Sequence, residues 1–304
     1  MPTHIPVWFV PCVELQFIMT KDKNFHPTRT IDVNGILLDL STTQVMGILN
    51  ITTDSFYDGG KHNNICKRLQ KVEQFIKEGA SIVDIGAYSS RPGAKHISIN
   101  EEWERLKEIL PIVNKEFPEI IISVDTFRAD IAQKSIENGA HIINDISAGE
   151  IDSKMFDTIT KLQVPYIMMH MQGTPQNMQN NPKYTCIEKE VFSYFENKVK
   201  ILKSKGVKDI IIDPGFGFGK TLEHNYQLLN NLDLLHDLNL PVLAGVSRKS
   251  MIYKLLENTP AEALNGTTTI HTVCLQKGVS ILRVHDVKEA VECAKIINFA
   301  QNHQ

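Results

Sequence analysis

Eight short apolar segments recur along this chain, and nearly all of them end on a polar or ionisable side chain or on a glycine-rich loop. Each segment is of strand length and is rich in β-branched residues. This rhythm constrains the fold more than any other feature, because it predicts buried strands with polar chemistry at their ends. The segments begin at Val45, Ile82, Ile120, Ile142, Tyr166, Ile210, Val242 and Ile281.

The stretches between these segments carry apolar residues at helical spacing, for example Leu69, Val72 and Ile76. Strands that alternate with helices predict a parallel sheet. Eight strand and helix units in roughly 260 residues are the usual content of a closed barrel. We therefore predict an α/β fold, a (β/α)8 TIM barrel. A doubly wound open sheet is the alternative, but it would place its ligand at one crevice, whereas polar strand ends recur around the whole chain.

The start of the chain, before the first of these eight segments, has a pattern of its own. The segment from Ile31 to Leu40 predicts a β-hairpin with a turn at Asn34-Gly35, and this hairpin could close the barrel floor. Residues 1–27 are predicted to form a poorly ordered N-terminal extension, and residues 28–304 a single barrel domain. Residues 1–18 lack a basic region typical of a signal peptide, and translation from Met19 would remove them.

Composition excludes several classes of function. The formal net charge of −3 argues against a nucleic-acid-binding protein. The chain has no run of 18 apolar residues, so we expect no membrane span. Its five cysteines are scattered and lack metal-site spacing, which favours reduced thiols and a cytoplasmic location.

Four polar side chains are expected to share the inward face of the barrel, because residues two apart on a strand point the same way. They stand an odd number of positions after a glycine that precedes their strand. Polar residues at the carboxyl ends of barrel strands are typical of a catalytic site. Asn144 and Arg283 stand five residues after the glycines at 139 and 278, and Asp213 and His285 seven after those at 206 and 278.

Three kinds of loop extend this site. The glycine-rich loop after Asp213 matches neither a Walker A loop nor G-x-G-x-x-G, and it predicts a turn that brings Phe216 or Phe218 against a flat ligand. The alternative is a loop whose phenylalanines cap the core. The basic residues at 247–250 and at the last strand end predict anion binding, against the alternative of a solvated face. The loops at 50–60 and 89–93 could be mobile active-site loops or solvated connections.

The motifs at these strand ends resemble the dihydropteroate synthase family, in order, over residues 46–301. The resemblance is carried by the residues from Asn50 to Gly60, Ser90 to Gly93, Ser123 to Thr126, Ile143 to Asp145, Met169 to Pro175, Asp213 to Lys220, Ser247 to Ser250 and Arg283 to Asp286. It implies a transferase that condenses (7,8-dihydropterin-6-yl)methyl diphosphate with p-aminobenzoate, giving dihydropteroate and pyrophosphate for folate synthesis.

The resemblance also implies the site residues. The pterin pocket would be formed by Asp125, Asn144, Met169, Asp213 and Lys249. The diphosphate would be bound by Asn50, Arg283 and His285, with Asn50 also a ligand of Mg²⁺, and p-aminobenzoate by Ser90, Arg91, Pro92, Phe218 and Ser250. Catalytic roles fall on Asp125, Asp213, Lys249, Arg283 and His285, and a homodimer is implied as the assembly.

The chain departs from the family pattern at three positions. Thr53 replaces a usual proline, Ser90 a usual threonine and Tyr88 a common glutamate, so loop closure and sulfonamide sensitivity are left open by the sequence. Two alternatives also stay open: a pterin-binding methyltransferase that serves a corrinoid protein, and a non-catalytic pterin-binding homologue. The motifs at Ser90 to Gly93 and Arg283 to His285 count against the first, and Lys249 with the anion residues against the second.

Overall fold

The computed structural model describes residues 30–51, 61–90 and 94–303. For residues 61–64 it describes the backbone only. Within these residues, eight parallel strands lie in one sheet. They follow an N-terminal hairpin of β1 (Thr30–Val33) and β2 (Ile36–Asp39). The parallel strands are β3 (Gln44–Asn50), β4 (Ile82–Gly86), β5 (Ile121–Asp125), β6 (Ile142–Asp145), β7 (Tyr166–Met169), β8 (Ile210–Asp213), β9 (Leu243–Ala244) and β10 (Ile281–Val284).

The sheet closes on itself, which confirms the predicted barrel and rules out the open sheet. Neighbouring strands pair in sequence order, β10 pairs with both β3 and β9, and a parallel bridge from Ile212 to Val242 joins β8 to the start of β9. The amide of Ile212 also donates to the carbonyl of Pro241 at 3.0 Å. The strands at the two ends of the sheet order, β8 and β9, are therefore joined, and the ring of described strands has no unpaired edge.

Helices follow the strands as the apolar spacing predicts. The apolar face of each helix packs on the outward-facing residues of the barrel, such as Val83, Ile122 and Ile212. The helices are α1 (Lys61–Glu78), α2 (Ile99–Glu116), α3 (Ala129–Glu137), α4 (Met155–Leu162), α5 (Ile187–Ser204), α6 (Leu222–Asn230), a 3₁₀ helix (Leu232–Leu238), α7 (Ser250–Tyr253), α8 (Leu264–Gln276) and α9 (Val287–Gln301). In the described part of the chain, no helix is long and apolar enough to cross a membrane.

The hairpin closes the barrel floor, as predicted. Its turn residues Asn34 and Gly35 both have positive φ, which is the conformation that a two-residue turn between twisted strands requires. Its inward residues Ile31, Val33 and Leu38 are buried with one apolar side chain from each barrel strand. Those eight side chains are Met46, Ile82, Ile121, Ile142, Ile167, Ile211, Leu243 and Ile281.

Strand alternation places the polar side chains one layer above this apolar floor. Side chains two residues apart on a strand share a face. The residue two positions after an apolar floor residue therefore points inward again, nearer the carboxyl end of the strand. That second layer includes Asp84 on β4, Ser123 on β5, Asn144 on β6, Asp213 on β8 and Arg283 on β10.

The seventh predicted strand is shorter than its apolar segment suggests. The segment runs to Ser247, but β9 ends at Ala244. Beyond it the chain turns, because the amide of Lys249 donates to the carbonyl of Val246 at 3.1 Å and Arg248 has a φ of 53°. The predicted N-terminal extension, residues 1–27, lies outside the described residues.

Candidate active site

The centre of the barrel mouth is an arginine held between two carboxylates. Nε of Arg283 donates to Oδ2 of Asp84 at 2.6 Å, and its Nη2 donates to Oδ2 of Asp125 at 2.8 Å. Asp84 is completely buried, whereas Asp125 and Arg283 each keep 19% of the side chain exposed. Charge-assisted bonds of this kind are short and directional, so the guanidinium plane is fixed relative to three strands.

Burial sets the protonation of this group. It raises the pKa of Asp125 to about 7; the Arg283 cation opposes that rise, and the neighbouring carboxylates, above all Asp84, add to it. For Arg283, burial and the neighbouring charges act in opposite directions on the pKa. Burial lowers it, but the Asp84 and Asp125 anions outweigh burial and raise it above its ordinary value. The guanidinium is therefore permanently charged, while Asp125 titrates near neutral pH.

Asn144 belongs to the same network. Its Nδ2 donates to Oδ2 of Asp84 at 3.1 Å, and the side chain is buried. The neighbouring Asp145 points to the opposite face, where it accepts from the hydroxyl of Tyr166 at 2.7 Å and from Ser147. Asn144 therefore faces the mouth of the barrel, and Asp145 faces its outer wall.

Asp213 lies at the end of β8, and the side chain of Lys249 approaches it from the loop after β9. Oδ2 of Asp213 and Nζ of Lys249 each lie 3.8 Å from the point that a β-carbon at Gly245 would occupy. Burial raises the pKa of Asp213, and Lys249 opposes the rise. Burial also lowers the pKa of Lys249 to about 8, so its charge is adjustable near neutral pH.

The glycine-rich loop is held by a lysine that the sequence analysis gave no role. Nζ of Lys220 is buried, and it lies 2.9 Å from Nδ1 of His170 and donates to the carbonyls of Gly215 at 2.9 Å and Phe218 at 3.1 Å. A β-carbon at Gly215 would lie 1.9 Å from the carbonyl oxygen of His170, so only glycine fits there. The pKa of His170 falls to about 2, because of burial and then Lys220, and a neutral ring can accept from the lysine.

This loop carries an aromatic ring to the rim of the mouth. Nζ of Lys249 donates to the carbonyl of Phe216 and lies 4.6 Å from the centre of the Phe218 ring. Phe218 packs against a small apolar cluster at the mouth that includes Met169. Phe216 is instead fully buried in the main core, so of the two phenylalanines only Phe218 faces the site.

The basic residues after β9 point in two directions, since Lys249 faces the mouth and Arg248 does not. Arg248 is turned away and pairs with both carboxylate oxygens of Asp286, at 2.8 and 2.9 Å. It also donates to the carbonyls of Pro260 and Ala261. His285 stays at the mouth, with Nδ1 3.1 Å from Oγ of Ser247.

The second loop is anchored by a tyrosine. The hydroxyl of Tyr88 lies 3.2 Å from Nδ1 of His96 and accepts from Nε2 of Gln176 at 3.1 Å. Two residues further on, Ser90 is half-buried, as is Ser250 at the start of α7. The predicted residues Arg91 and Pro92, and the loop residues at 52–60, lie outside the described residues.

The oxygen atoms near Asn50 suit a hard cation. Its Oδ1 lies 3.5 Å, and Oδ2 of Asp125 3.8 Å, from the point that a β-carbon at Gly86 would occupy, so both oxygens border one small space. Mg²⁺ takes oxygen ligands and is usually held by one or two protein groups together with water and phosphate oxygens. Among the described residues, no group of three or more histidine, cysteine or acidic side chains forms a metal cage.

Asp84 was not among the predicted site residues, although the spacing after a glycine that precedes its strand indicates it. Asp84 stands five residues after Gly79, the same spacing that singled out Asn144 and Arg283. It accepts from Ser123, Asn144 and Arg283, so it joins three other strands on the inner face. Lys220 had no comparable signal, because its role depends on a histidine about 50 residues away.

Comparison with known proteins identifies the family. The model of the pterin-binding enzymes matches residues 46–285. The dihydropteroate synthase of Escherichia coli is 42% identical over 265 residues, which cover 86% of this chain and 93% of that protein. A Yersinia pestis dihydropteroate synthase, solved with a sulfonamide drug complex, superposes with a TM-score of 0.84 at 39% identity, over 90% of this chain and all of that one.

A second solved structure gives the same result from a more distant relative. The dihydropteroate synthase of Xanthomonas albilineans, solved with 4-aminobenzoic acid, superposes with a TM-score of 0.84 at 34% identity, over 90% of this chain and 98% of that one. Sequence and fold therefore agree. The chain belongs to the dihydropteroate synthase family of pterin-binding enzymes, which are transferases of folate synthesis.

Proposed function

We propose how the residues of the mouth divide the dihydropteroate synthase reaction among them. The reaction breaks the bond between the pterin methylene carbon and the diphosphate oxygen, forms a bond from that carbon to the amine nitrogen of p-aminobenzoate, and releases a proton from the nitrogen. The observation that carries this assignment is the Arg283 bridge between Asp84 and Asp125, which lies beside Asn144 in the barrel mouth.

The dihydropterin ring would bind to the polar layer. Its amino group and ring N–H groups are donors, and the carboxylates of Asp213 and Asp125 are acceptors that can meet them. Asn144 and Lys249 add an amide and an ammonium group, which can bond the ring nitrogen and carbonyl atoms. Met169, which is buried beside Phe218, supports a flat slot for the ring.

The diphosphate would bind where positive charge can meet it as the bond breaks. Arg283 and His285 supply that charge, and stabilisation of a developing anion by fixed positive groups is a large part of catalysis in such reactions. Asn50, with Asp125 close to it, would hold Mg²⁺, whose charge neutralises diphosphate oxygens when it is bound. Departure of the diphosphate leaves a cationic methylene group conjugated to the pterin.

The second substrate would bind at the rim. Ser90, Phe218 and Ser250, with Arg91 and Pro92 from the same loop as Ser90, would frame p-aminobenzoate. Its aniline nitrogen is weakly basic and has a free lone pair, so it can attack the methylene carbon without a strong general base. Phe218 supports this placement, because its ring lies next to the ammonium group of Lys249, at the border of the pterin slot.

We also propose a cytoplasmic homodimer. The cysteines of the described residues, Cys66, Cys186, Cys274 and Cys293, are free thiols, which supports a reducing compartment. On α9, Ile296 and Phe299 are 67% and 66% exposed, and large apolar side chains on one helix face support an interface between subunits. Sedimentation of the wild type and of Phe299→Asp would test it, because loss of the dimer in the variant is expected.

The experiment that tests the function is a two-substrate assay. The purified full chain is incubated with the dihydropterin diphosphate and Mg²⁺, with and without p-aminobenzoate, and dihydropteroate is followed by chromatography. Product that requires both substrates is expected. Pterin binding without product would favour the non-catalytic homologue or the pterin-binding methyltransferase, and absence of pterin binding would refute the site assignment.

A further inference from the structure

Asp84 is an acid that none of the proposed steps uses, although it lies at the centre of the mouth. It is completely buried on β4, and its carboxylate accepts three side-chain hydrogen bonds from three other strands. These come from Oγ of Ser123 at 2.6 Å, Nδ2 of Asn144 at 3.1 Å and Nε of Arg283 at 2.6 Å.

The first consequence concerns Asn144. A buried, ionised carboxylate can only accept hydrogen bonds, so it dictates which end of an amide faces it. Because Asp84 takes the NH₂ group of Asn144, the carbonyl oxygen of that amide is left to face elsewhere. Asn144 thus presents an acceptor, the group that a donor on a pterin edge requires.

The second consequence concerns Arg283. Its guanidinium is planar, and two of its nitrogens are already fixed, Nε by Asp84 and Nη2 by Asp125. The direction of Nη1 then follows from the geometry of the group. An arginine anchored at one point could swing, but one anchored at two points offers its remaining N–H groups in a set direction.

We propose that Asp84 is a positioning residue of this transferase, which fixes the amide orientation of Asn144 and the plane of the Arg283 guanidinium. The proposal rests on the proposed function, because its consequence is for the pterin substrate. Ser123 assists through the other carboxylate oxygen. Asp84 itself is completely buried against these partners, so it would act through them and not by contact with a substrate.

The test compares Asp84→Asn with Asp145→Asn in the full chain. Asp145 is a matched control, because it is equally buried and hydrogen-bonded but faces the outer wall. For Asp84→Asn we expect kcat to fall by roughly 30-fold and KM for the dihydropterin diphosphate to rise by about 10-fold, with KM for p-aminobenzoate changed by less than about 2-fold. Asp145→Asn should lower stability without this split between the two KM values.

The outcomes separate this proposal from the function. If the wild type forms no dihydropteroate, the proposed function fails and this proposal fails with it. If the wild type is active and Asp84→Asn keeps the wild-type kcat and both wild-type KM values, only the positioning role is refuted. Should Asp84→Asn not fold, Ser123→Ala must show the same selective rise in KM for the pterin, of about 3-fold, and equal KM values in wild type and Ser123→Ala would overturn the proposal.

Discussion

The barrel mouth has a polar floor, which lies above the apolar layer closed by the hairpin, and a rim, and the two are built differently. The floor consists of Asp84, Asp125, Asn144, Asp213 and Arg283, which stand on strands whose register the sheet fixes. The rim consists of Tyr88, Ser90, Phe218 and Ser250, which stand on loops or on a helix start. The floor is bound by short ionic contacts, whereas the rim loops around Tyr88 are joined by hydrogen bonds of its neutral hydroxyl. Under the proposed assignment, the pterin would meet charges that the strands hold in place, and p-aminobenzoate would meet side chains carried by loops.

The largest effect is expected when the central cation of the floor is removed. Arg283→Ala leaves Asp84 and Asp125 buried together without their counter-ion, and loss of one partner of a buried ion pair costs about 3–5 kcal/mol. Turnover should fall by more than about 100-fold, and by more than the affinity for p-aminobenzoate. Urea unfolding and steady-state kinetics would measure both effects.

Arg248→Ala is the control for this substitution. Arg248 pairs with Asp286 on the outer side of the loop and is partly exposed, so its removal should cost less stability and leave turnover intact. If Arg283→Ala kept wild-type turnover, the assignment of Arg283 to the diphosphate would be wrong.

The next effect should be confined to one substrate. Asp213→Asn replaces one carboxylate oxygen by an NH₂ group and removes the anion that faces Lys249. Loss of a charged hydrogen bond is worth roughly 1.5–3 kcal/mol, which predicts a rise of about 10- to 100-fold in the dissociation constant of the dihydropterin substrate. Calorimetric titration with each substrate would measure it, and an equal loss of p-aminobenzoate affinity would contradict a floor that serves the pterin alone.

Parity on the strands made most of the floor predictable from the sequence. The alternation of strand faces placed Asn144, Asp213 and Arg283 on the inner side of the barrel, and the structure places them there. Asp84 stands at the same spacing after the glycine at 79, so the same parity indicates it. Strand register depends on local patterns, so the sequence contains most of what is needed.

The rim was less predictable, because its contacts join loops that are far apart in the chain. The hydrogen bond from Gln176 to Tyr88 spans 88 residues, and Lys220 reaches His170 across 50. The basic residues at 247–250 showed the same limit, since only the fold reveals that Arg248 turns to Asp286 and Lys249 to the mouth. Residue type indicated the chemistry, but not the direction of each side chain.

The pH dependence of the floor gives a third prediction. The folded-state pKa of Asp125 is raised to about 7 from 3.8, so the folded protein binds a proton there that the unfolded chain has already lost. The contribution of Asp125 to stability is therefore fully present below about pH 4 and is lost as pH rises to about 7. Asp213 has a raised pKa for the same reason of burial, and it acts in the same direction.

Activity should change in the opposite sense, because pterin binding uses the ionised carboxylate. We expect kcat/KM for the dihydropterin substrate to rise with pH along an acid limb with an apparent pKa near 7. Thermal unfolding and initial rates, measured over the same pH range, would test both trends. Asp125→Asn should flatten the stability trend, and a wild-type acid limb near pH 4 would contradict the raised pKa.

The smallest effect is expected at the rim, from removal of the Tyr88 hydroxyl. Tyr88→Phe removes a hydroxyl that joins His96 on its own loop to Gln176 on the loop after β7. The ring can keep its edge contact with Phe127, whose centroid is 5.0 Å away, so the loss should be about 1 kcal/mol. Because Ser90 follows two residues later, KM for p-aminobenzoate should rise by about 3-fold, while KM for the pterin stays constant.

Tyr194→Phe separates this effect from general loss of a tyrosine hydroxyl. Tyr194 on α5 donates to the carbonyl of Ser147 at 3.3 Å, on the outer side of the barrel, so its removal should lower stability by a similar amount and leave both KM values unchanged. A rise in KM for the pterin in Tyr88→Phe would mean that the rim also positions the floor, and the two regions would then act as one. If only KM for p-aminobenzoate rises, the hydroxyl between the two loops affects binding of the second substrate independently of the ionic floor. The physical reason is that loss of a neutral hydrogen bond at the rim leaves the charges around Arg283 unchanged.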